Sequence, residues 1–169
     1  FAVHAYFNNP QPPEALARLG ALTARVMKGV DDTAVAQWIR DDRIDVLLDI
    51  AGHTGHNRLG VLGRKPAPVQ MTWLDYLNTT GLDAIDYRIT DATSDPVGSS
   101  DAFASETLAR LGPAQWCWNP PSDAIAPGPL PMLASDHPTF GSFNNGSKLT
   151  DETLALWARL LATIPTARL

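Results

Sequence analysis

Apolar residues along the chain recur at spacings that alternate between those of strands and those of helices. Phe1–Phe7 alternates loosely and predicts a strand. Ile44–Ala51 ("IDVLLDIA") is almost continuously apolar, which is typical of a central parallel strand buried on both faces. A further β-rich run starts at Val69, and "IDYRIT" predicts a third strand that ends at Asp91.

Two segments between these strands have helical periodicity. Glu14–Lys28 predicts an amphipathic helix because its apolar residues recur at helical spacing. The apolar residues of that face are Leu16, Leu19, Leu22 and Val26. Asp31 and Asp32 supply an N-cap and a first-turn charge for a second, short helix. The apolar face of this second helix consists of Val35, Trp38 and Ile39.

This order of strands and helices predicts a doubly wound α/β fold, in which ligands bind in the crevice at the carboxyl ends of the strands. Beyond Asp95 proline becomes frequent and the periodicity disappears. We interpret residues 119–138 as a proline-rich connection between two lobes. The first lobe then occupies residues 1–118, and residues 139–169 begin the second.

The second lobe is predicted to open with a strand over Thr139–Phe143, followed by a helix. Thr150 is a good N-cap for this helix, and Pro165 ends it. Its predicted inward face is Leu154, Trp157, Leu160 and Leu161. The bulky aromatic residues Trp38, Trp73 and Trp157 are expected in the core.

Composition narrows the possible functions. Apolar residues make up 44% of the 169-residue chain and charged residues 18%, with a net charge of -5. This acidic balance argues against nucleic-acid binding, and the absence of a long apolar run argues against a membrane span. Cys117 is the single cysteine, so a reducing, cytoplasmic compartment is expected. The chain starts without methionine or a signal peptide, so we expect an internal segment of a longer protein.

Lys148 stands just before the last predicted helix, in "TFGSFNNGSKLTDE". Gly141 and Gly146 have the separation of a phosphate-binding P-loop, but Ser147 precedes the lysine and no hydroxyl residue follows it. The spacing therefore excludes an ATPase P-loop. A helix N-terminus beside a lysine can still hold a diphosphate without metal. The alternative is a solvated loop lysine.

Two polar loops follow predicted strands. "AGHTGHNR" contains His53 and His56, which either hold a substrate or cap the loop; a metal site lacks further ligands at a matching spacing. "WLDYLNTTGLDAIDY" places Asn78, Thr79, Thr80 and Gly81 in a turn. That turn either offers hydroxyls to a sugar or phosphate or is only hydrogen-bonded within itself. Asp86 and Asp91 are interpreted as strand-end carboxylates.

Several blocks in register resemble the catalytic region of the O-GlcNAc transferase family. They are "IDVLLDIAGHTGHNR", "RKPAPVQMTWLDYLNTTGLDAIDYRITD" and "FGSFNNGSKLTDETLALWARLLATIPTARL". The resemblance is greatest to bacterial, SPINDLY-like members, which usually carry tetratricopeptide repeats. It implies the GT-B architecture of two Rossmann-like lobes. It also implies inverting transfer of N-acetylglucosamine from UDP-GlcNAc to Ser or Thr hydroxyls of a protein or peptide, with no metal or other cofactor.

The resemblance assigns roles residue by residue. Lys148 matches the lysine that contacts the donor pyrophosphate and would stabilise UDP as it leaves. Asn145 matches an amide near the nucleotide. Thr54 and Arg58 match polar residues of the loop that lines the active site, and Leu74 matches the turn that abuts the sugar.

Other positions depart from the family pattern. Asp75 stands where the family usually has glycine, and Leu77 replaces its proline. His53 stands where members have another polar or aromatic residue. We include His53 and Asp75, with Thr79 and Thr80, among the candidate substrate-binding residues.

The family's candidate general base and its uridine-binding residues fall outside this sequence, so we expect the chain alone to be inactive. Two alternatives stay open. One is a catalytically degenerate nucleotide- or protein-binding module of the same fold. The other is an unrelated Rossmann-type nucleotide binder, which the lack of a G-x-G-x-x-G motif after a strand disfavours.

Overall fold

The structure, a computed structural model, describes residues 1–20 and 23–169. It divides into two compact units, Phe1–Trp118 and Asn119–Leu169. The assignment of residues 1–118, 119–138 and 139–169 to a lobe, a connection and a second lobe stays a prediction.

Parallel strands form the centre of the first unit. In chain order they are β1 His4–Phe7, β2 Thr23–Val26, β3 Val46–Asp49, β4 Val69–Thr72, β5 Tyr87–Thr90 and β6 Thr107–Arg110. β1 pairs with β2, and the other four form a sheet in the order β3-β4-β5-β6. All of these pairings are parallel, which confirms the predicted α/β class.

Helices α1 Pro13–Leu19, α2 Asp32–Asp41 and α3 Leu59–Leu62 connect these strands. α2 begins as predicted, because the Asp31 carboxylate accepts hydrogen bonds from the amides of Thr33 and Ala34. Its predicted apolar face packs into the core, where Val35 and Ile39 are buried and Trp38 is half-buried. Ala36 of α2 and three residues outside the helix complete that core: Met27, Val61 and Ala67.

The predicted helix over Glu14–Lys28 is wrong. α1 ends at Gly20, whose φ of 58° is left-handed and whose amide donates to the Ala17 carbonyl. Thr23–Val26 is strand β2, because pairing with β1 satisfies its backbone and overrides its apolar spacing. Leu22 and the side chain of Leu19, both part of the predicted face, lie outside the described residues.

The prediction of a central strand buried on both faces is wrong for β3. This strand hydrogen-bonds only to β4 within its sheet. One face carries the half-buried Leu47 and the buried Asp49, but Val46 is 53% exposed and Leu48 is 42% exposed on the other. The run is continuously apolar because both faces of β3 carry apolar residues, but α2 and α3 leave the face with Val46 and Leu48 uncovered.

The second unit contains α4 Met132–Ser135 and α5 Asp151–Thr163. The predicted strand over Thr139–Phe143 is wrong, since only Thr139 forms a bridge, to Arg168. α5 begins at its predicted cap, where the Thr150 hydroxyl accepts from the amide of Thr153, and it ends just before Pro165.

The predicted inward face of α5 is only partly correct. Trp157 and Leu161 are half-buried, whereas Leu154 is 48% exposed and Leu160 is 39% exposed. No helix in the two described ranges has the length and apolarity needed to cross a membrane.

Candidate active-site residues

The carboxyl end of β3 is anchored by a buried carboxylate. Asp49 accepts hydrogen bonds from the amides of Ala51 and Gly52, at 3.2 and 2.8 Å, and from the Thr72 hydroxyl on β4 at 3.0 Å. The loop after β3 is therefore fixed to the sheet edge at its first residues. Sequence reasoning missed this role, although an aspartate that ends an apolar strand is a detectable signal.

His53 joins the loop after β3 to the segment after β4. Its Nε2 lies 2.8 Å from the Thr80 carbonyl oxygen, and its ring meets the edge of the Tyr76 ring at 5.1 Å between centroids. The loop passes close to Tyr76 at Gly52, where any Cβ would overlap the Tyr76 side chain. His53 is exposed. Contact of His53 with a substrate stays a prediction.

The other two candidates in this loop have partners inside the fold. The Thr54 hydroxyl donates to the Ala51 carbonyl at 2.7 Å. The Arg58 guanidinium pairs with Asp32 at 2.8 Å and donates to the carbonyl oxygens of Met27 and Val30. These contacts make Arg58 a clamp between two loops. Direct contact of Thr54 or Arg58 with a substrate stays a prediction.

A strained turn follows β4. The Asp75 amide donates to the Trp73 carbonyl at 3.2 Å, and Leu74 between them has a φ of 85°. A γ-turn with a positive φ is rare, and such strain persists only where the surroundings impose it. Asp75 is exposed, and its carboxylate has no hydrogen bond or ion pair to any described residue. Leu74 and Asp75 therefore lie at the sheet edge where substrates of α/β proteins bind.

Thr79 and Thr80 face a carboxylate that the sequence analysis missed. Both hydroxyls and the Thr80 amide donate to Glu106, which immediately precedes β6. Thr80 and Glu106 are each 4% exposed. Burial alone would raise the pKa of Glu106, but hydrogen bonds from Thr80 and then Thr79 outweigh it and lower the pKa. This arrangement favours a hydrogen-bonded turn over hydroxyls offered to a ligand.

Further buried polar groups hold the segment after β5. Arg88 pairs with Asp95 at 2.9 Å, and the two side chains are 4% and 9% exposed. Burial would raise the pKa of Asp95, yet hydrogen bonds from Arg88 and Thr90 lower it. Asp91 accepts from backbone amides, first that of Gln115, which lowers its pKa. Asp91 is therefore a structural cap, which agrees with its interpretation as a strand-end carboxylate.

In the second unit, Asn145 and Lys148 lie in the turn before α5. The Asn145 carbonyl Oδ1 accepts from the Ser147 amide at 3.0 Å and shapes a single 3-10 turn, Gly146–Lys148. Lys148 is exposed, and its ammonium makes no hydrogen bond or ion pair with a described residue. A ligand can thus reach this ammonium beside the first turn of a 13-residue helix.

Within residues 1–20 and 23–169, no group of three or more His, Cys, Asp or Glu side chains is placed to hold a metal ion. That the reaction needs no metal stays a prediction.

A parallel α/β unit with polar loops at the carboxyl ends of its strands places the first unit in the class of α/β proteins that bind ligands at that edge. A solved O-GlcNAc transferase variant from Thermobaculum terrenum matches 99% of this chain and 32% of its own, with a TM-score of 0.87 and 37% identity. The match confirms the predicted fold class, an α/β glycosyltransferase of GT-B architecture. Residues 26–116 match the family described as glycosyl transferase family 41. The chain belongs to this family.

Relatives in plants and animals have names that agree with the match. A probable UDP-N-acetylglucosamine–peptide N-acetylglucosaminyltransferase SPINDLY from Solanum lycopersicum is 44% identical over 145 residues, 86% of this chain and 16% of the relative. A UDP-N-acetylglucosamine–peptide N-acetylglucosaminyltransferase from Caenorhabditis elegans is 38% identical over 76 residues, 45% of this chain and 6% of the relative. The predicted resemblance to O-GlcNAc transferases is therefore confirmed, while the chain spans only 16% of the SPINDLY relative.

Proposed function

We propose that the chain is part of an inverting glycosyltransferase that needs no metal. It moves N-acetylglucosamine from UDP-GlcNAc to Ser or Thr hydroxyls of proteins, in the cytoplasm. The observation that carries the proposal is the exposed, unpaired ammonium of Lys148 beside the start of α5. The family match and the relatives' names support it.

Transfer with inversion requires in-line attack of the acceptor hydroxyl on the anomeric carbon and departure of UDP. Charge develops on the diphosphate as that bond breaks. An ammonium and the amides at a helix N-terminus stabilise such charge without a divalent ion. Lys148 supplies the first and α5 the second, while Asn145 holds the turn in shape. We place the base that takes the acceptor proton outside this sequence, as the family resemblance implies, and therefore expect the chain alone to be inactive.

The first unit is proposed to contact the sugar and the acceptor. His53, Thr54, Leu74 and Asp75 lie in loops that follow β3 and β4, at the carboxyl edge of the sheet. Asp75 favours a second candidate, a binding module without turnover, because an unpaired carboxylate replaces the glycine usual in the family. That carboxylate would crowd the donor sugar or select another one.

Titration calorimetry of the full-length protein with UDP, in the presence of EDTA, tests this proposal. We expect wild-type binding to survive EDTA and Lys148→Ala to bind UDP more weakly. Arg159→Ala, which removes an exposed cation from the middle of α5, should bind as wild type does. In donor hydrolysis assays Lys148→Ala should lose about 100- to 1,000-fold in kcat, as for other fixed donors to a developing anion.

Binding that is indifferent to Lys148, or that disappears with EDTA, would contradict the proposed diphosphate site. Tight UDP binding without hydrolysis or transfer would instead favour the binding module. Asp75→Gly then separates the two explanations, since restored turnover identifies Asp75 as the block.

A further inference from the structure

A polar crevice of about 390 Å³ lies at the carboxyl ends of β1 and β2. It is lined by residues after β1 (Asn8 and Asn9), after β2 (Met27, Lys28 and Gly29) and in the loop after β3 (His56, Asn57 and Arg58). Openings outside the carboxyl ends of parallel strands are where α/β proteins bind ligands. Of the residues discussed as candidates above, Arg58 and His56 belong to this crevice.

The lining of this crevice differs in charge from the rest of the molecule. It includes Lys28, His56 and Arg58 but no Asp or Glu, in a chain whose net charge is -5. The cavity at the amino end of β3, by contrast, is lined by residues of both charges, Asp42, Arg43 and Asp45. An anion is therefore attracted to the crevice more than to that cavity.

The walls of the crevice are held in place. Asp32 neutralises and fixes Arg58, which also donates to two carbonyl oxygens of the turn after β2. The Asn8 amide donates to the His56 carbonyl at 2.6 Å, which ties the end of β1 to the loop after β3. The crevice is thus formed before a ligand arrives.

Lys28 is the free cation of this site. The turn Met27–Val30 closes through the Val30 amide and the Met27 carbonyl at 3.0 Å. In the described ranges the amides of Lys28 and Gly29 have no backbone acceptor, and the exposed Lys28 ammonium has no carboxylate partner. Gly29 has a φ of 78° with open space beside it. Successive free amides next to an ammonium form an anion-binding turn.

We propose that this crevice binds an anionic side chain of the acceptor polypeptide, a carboxylate or a phosphate ester, close in sequence to the modified Ser or Thr. The proposal rests on the proposed function. The anion pairs with Lys28 and the free amides of its turn, and the exposed amide of Asn9 is available to the acceptor main chain. Acceptors with such a residue bind better than neutral ones.

Fluorescence anisotropy of the full-length protein with labelled Ser-containing peptides tests this binding without requiring turnover. Three peptides differ at one position near the serine: Glu, phosphoserine or Gln. We expect the Glu or phosphoserine peptide to bind about five- to tenfold more tightly than the Gln peptide in low salt. Lys28→Met should remove most of this preference, and Lys28→Glu should reverse it. Arg18→Met, which removes an exposed cation on α1, is the matched control and should keep it.

The outcomes separate this site from the proposed function. A preference for the anionic peptide that Lys28→Met removes supports the site, even if UDP-GlcNAc gives no transfer to any peptide. In that case the proposed function fails and the binding site stands. Equal binding of all three peptides, or a preference that survives Lys28→Met and Lys28→Glu, overturns the site whatever the transfer assay shows.

Discussion

Glu106 is expected to hold the segment after β4 in position. Its Oε1 accepts from the amide and hydroxyl of Thr80, and its Oε2 accepts from the Thr79 hydroxyl at 2.7 Å. The carboxylate is buried, with 4% exposure, and has no basic partner within the described residues. The buried charge is stabilised mainly by these donors.

The substitution Glu106→Gln keeps the shape, removes the charge and replaces one acceptor oxygen by an NH2 group. A hydrogen bond to a charged group contributes about 1.5–3 kcal/mol and a neutral one about 0.5–1.5, so each bond loses about 1–1.5 kcal/mol and three lose about 3–4.5 kcal/mol. Burying an amide costs less than burying a carboxylate, which offsets part of this loss. Because the fold lowers the pKa of Glu106, it favours the charged form, and the offset is incomplete. We expect a net destabilisation of about 1–3 kcal/mol.

Urea unfolding of the 169-residue chain, followed by tryptophan fluorescence, measures this loss. Trp73 reports on the first unit because its indole donates to the Gln115 carbonyl at 3.0 Å. A double-mutant cycle with Thr80→Val should show a coupling of about 1 kcal/mol or more between the two side chains. Asp83→Asn, an exposed carboxylate in the same segment, should change stability by less than about 0.5 kcal/mol. Unchanged unfolding of Glu106→Gln, or additive effects of the two substitutions, would refute this account.

Two further predictions concern the loops and the response to acid. Gly52→Ala should destabilise the first unit more than Gly81→Ala. Both glycines have a positive φ, 51° and 72°, but of the two only Gly52 has a neighbour, Tyr76, that an added Cβ would overlap. Equal urea midpoints for the two variants would contradict the overlap. The fold lowers the pKa of several carboxyls, namely Asp42, Asp86, Asp91, Asp95 and Glu106. A carboxyl whose pKa is lower in the folded state than in the unfolded chain stabilises the fold at pH values above its unfolded pKa of about 4. This contribution is lost as the pH falls through the pKa of the folded state. The urea midpoint should therefore be nearly constant between about pH 5 and 7 and fall below about pH 4; a constant midpoint down to pH 2 would contradict this linkage.

Sequence alone determined the features that depend on neighbours along the chain. The caps of α2 and α5 were predicted because Asp31 and Thr150 bond to amides two or three residues away. β4 and β5 were predicted because their β-rich patterns are short and bounded by turns. The parallel α/β class followed from the order of these elements. The family was likewise identified from three sequence blocks, since their order and spacing are properties of the sequence.

Only the tertiary structure decided between alternatives that the local sequence fitted equally well. Thr23–Val26 fits a helical face by spacing, and only pairing with β1 made it a strand. The Thr80 hydroxyl donates to Glu106, 26 residues away, and only the folded chain brings the two together. Arg58 meets Asp32, also 26 residues away, in the same way. The sequence shows that a hydrogen-bond donor needs an acceptor. Which acceptor it contacts depends on how the chain folds.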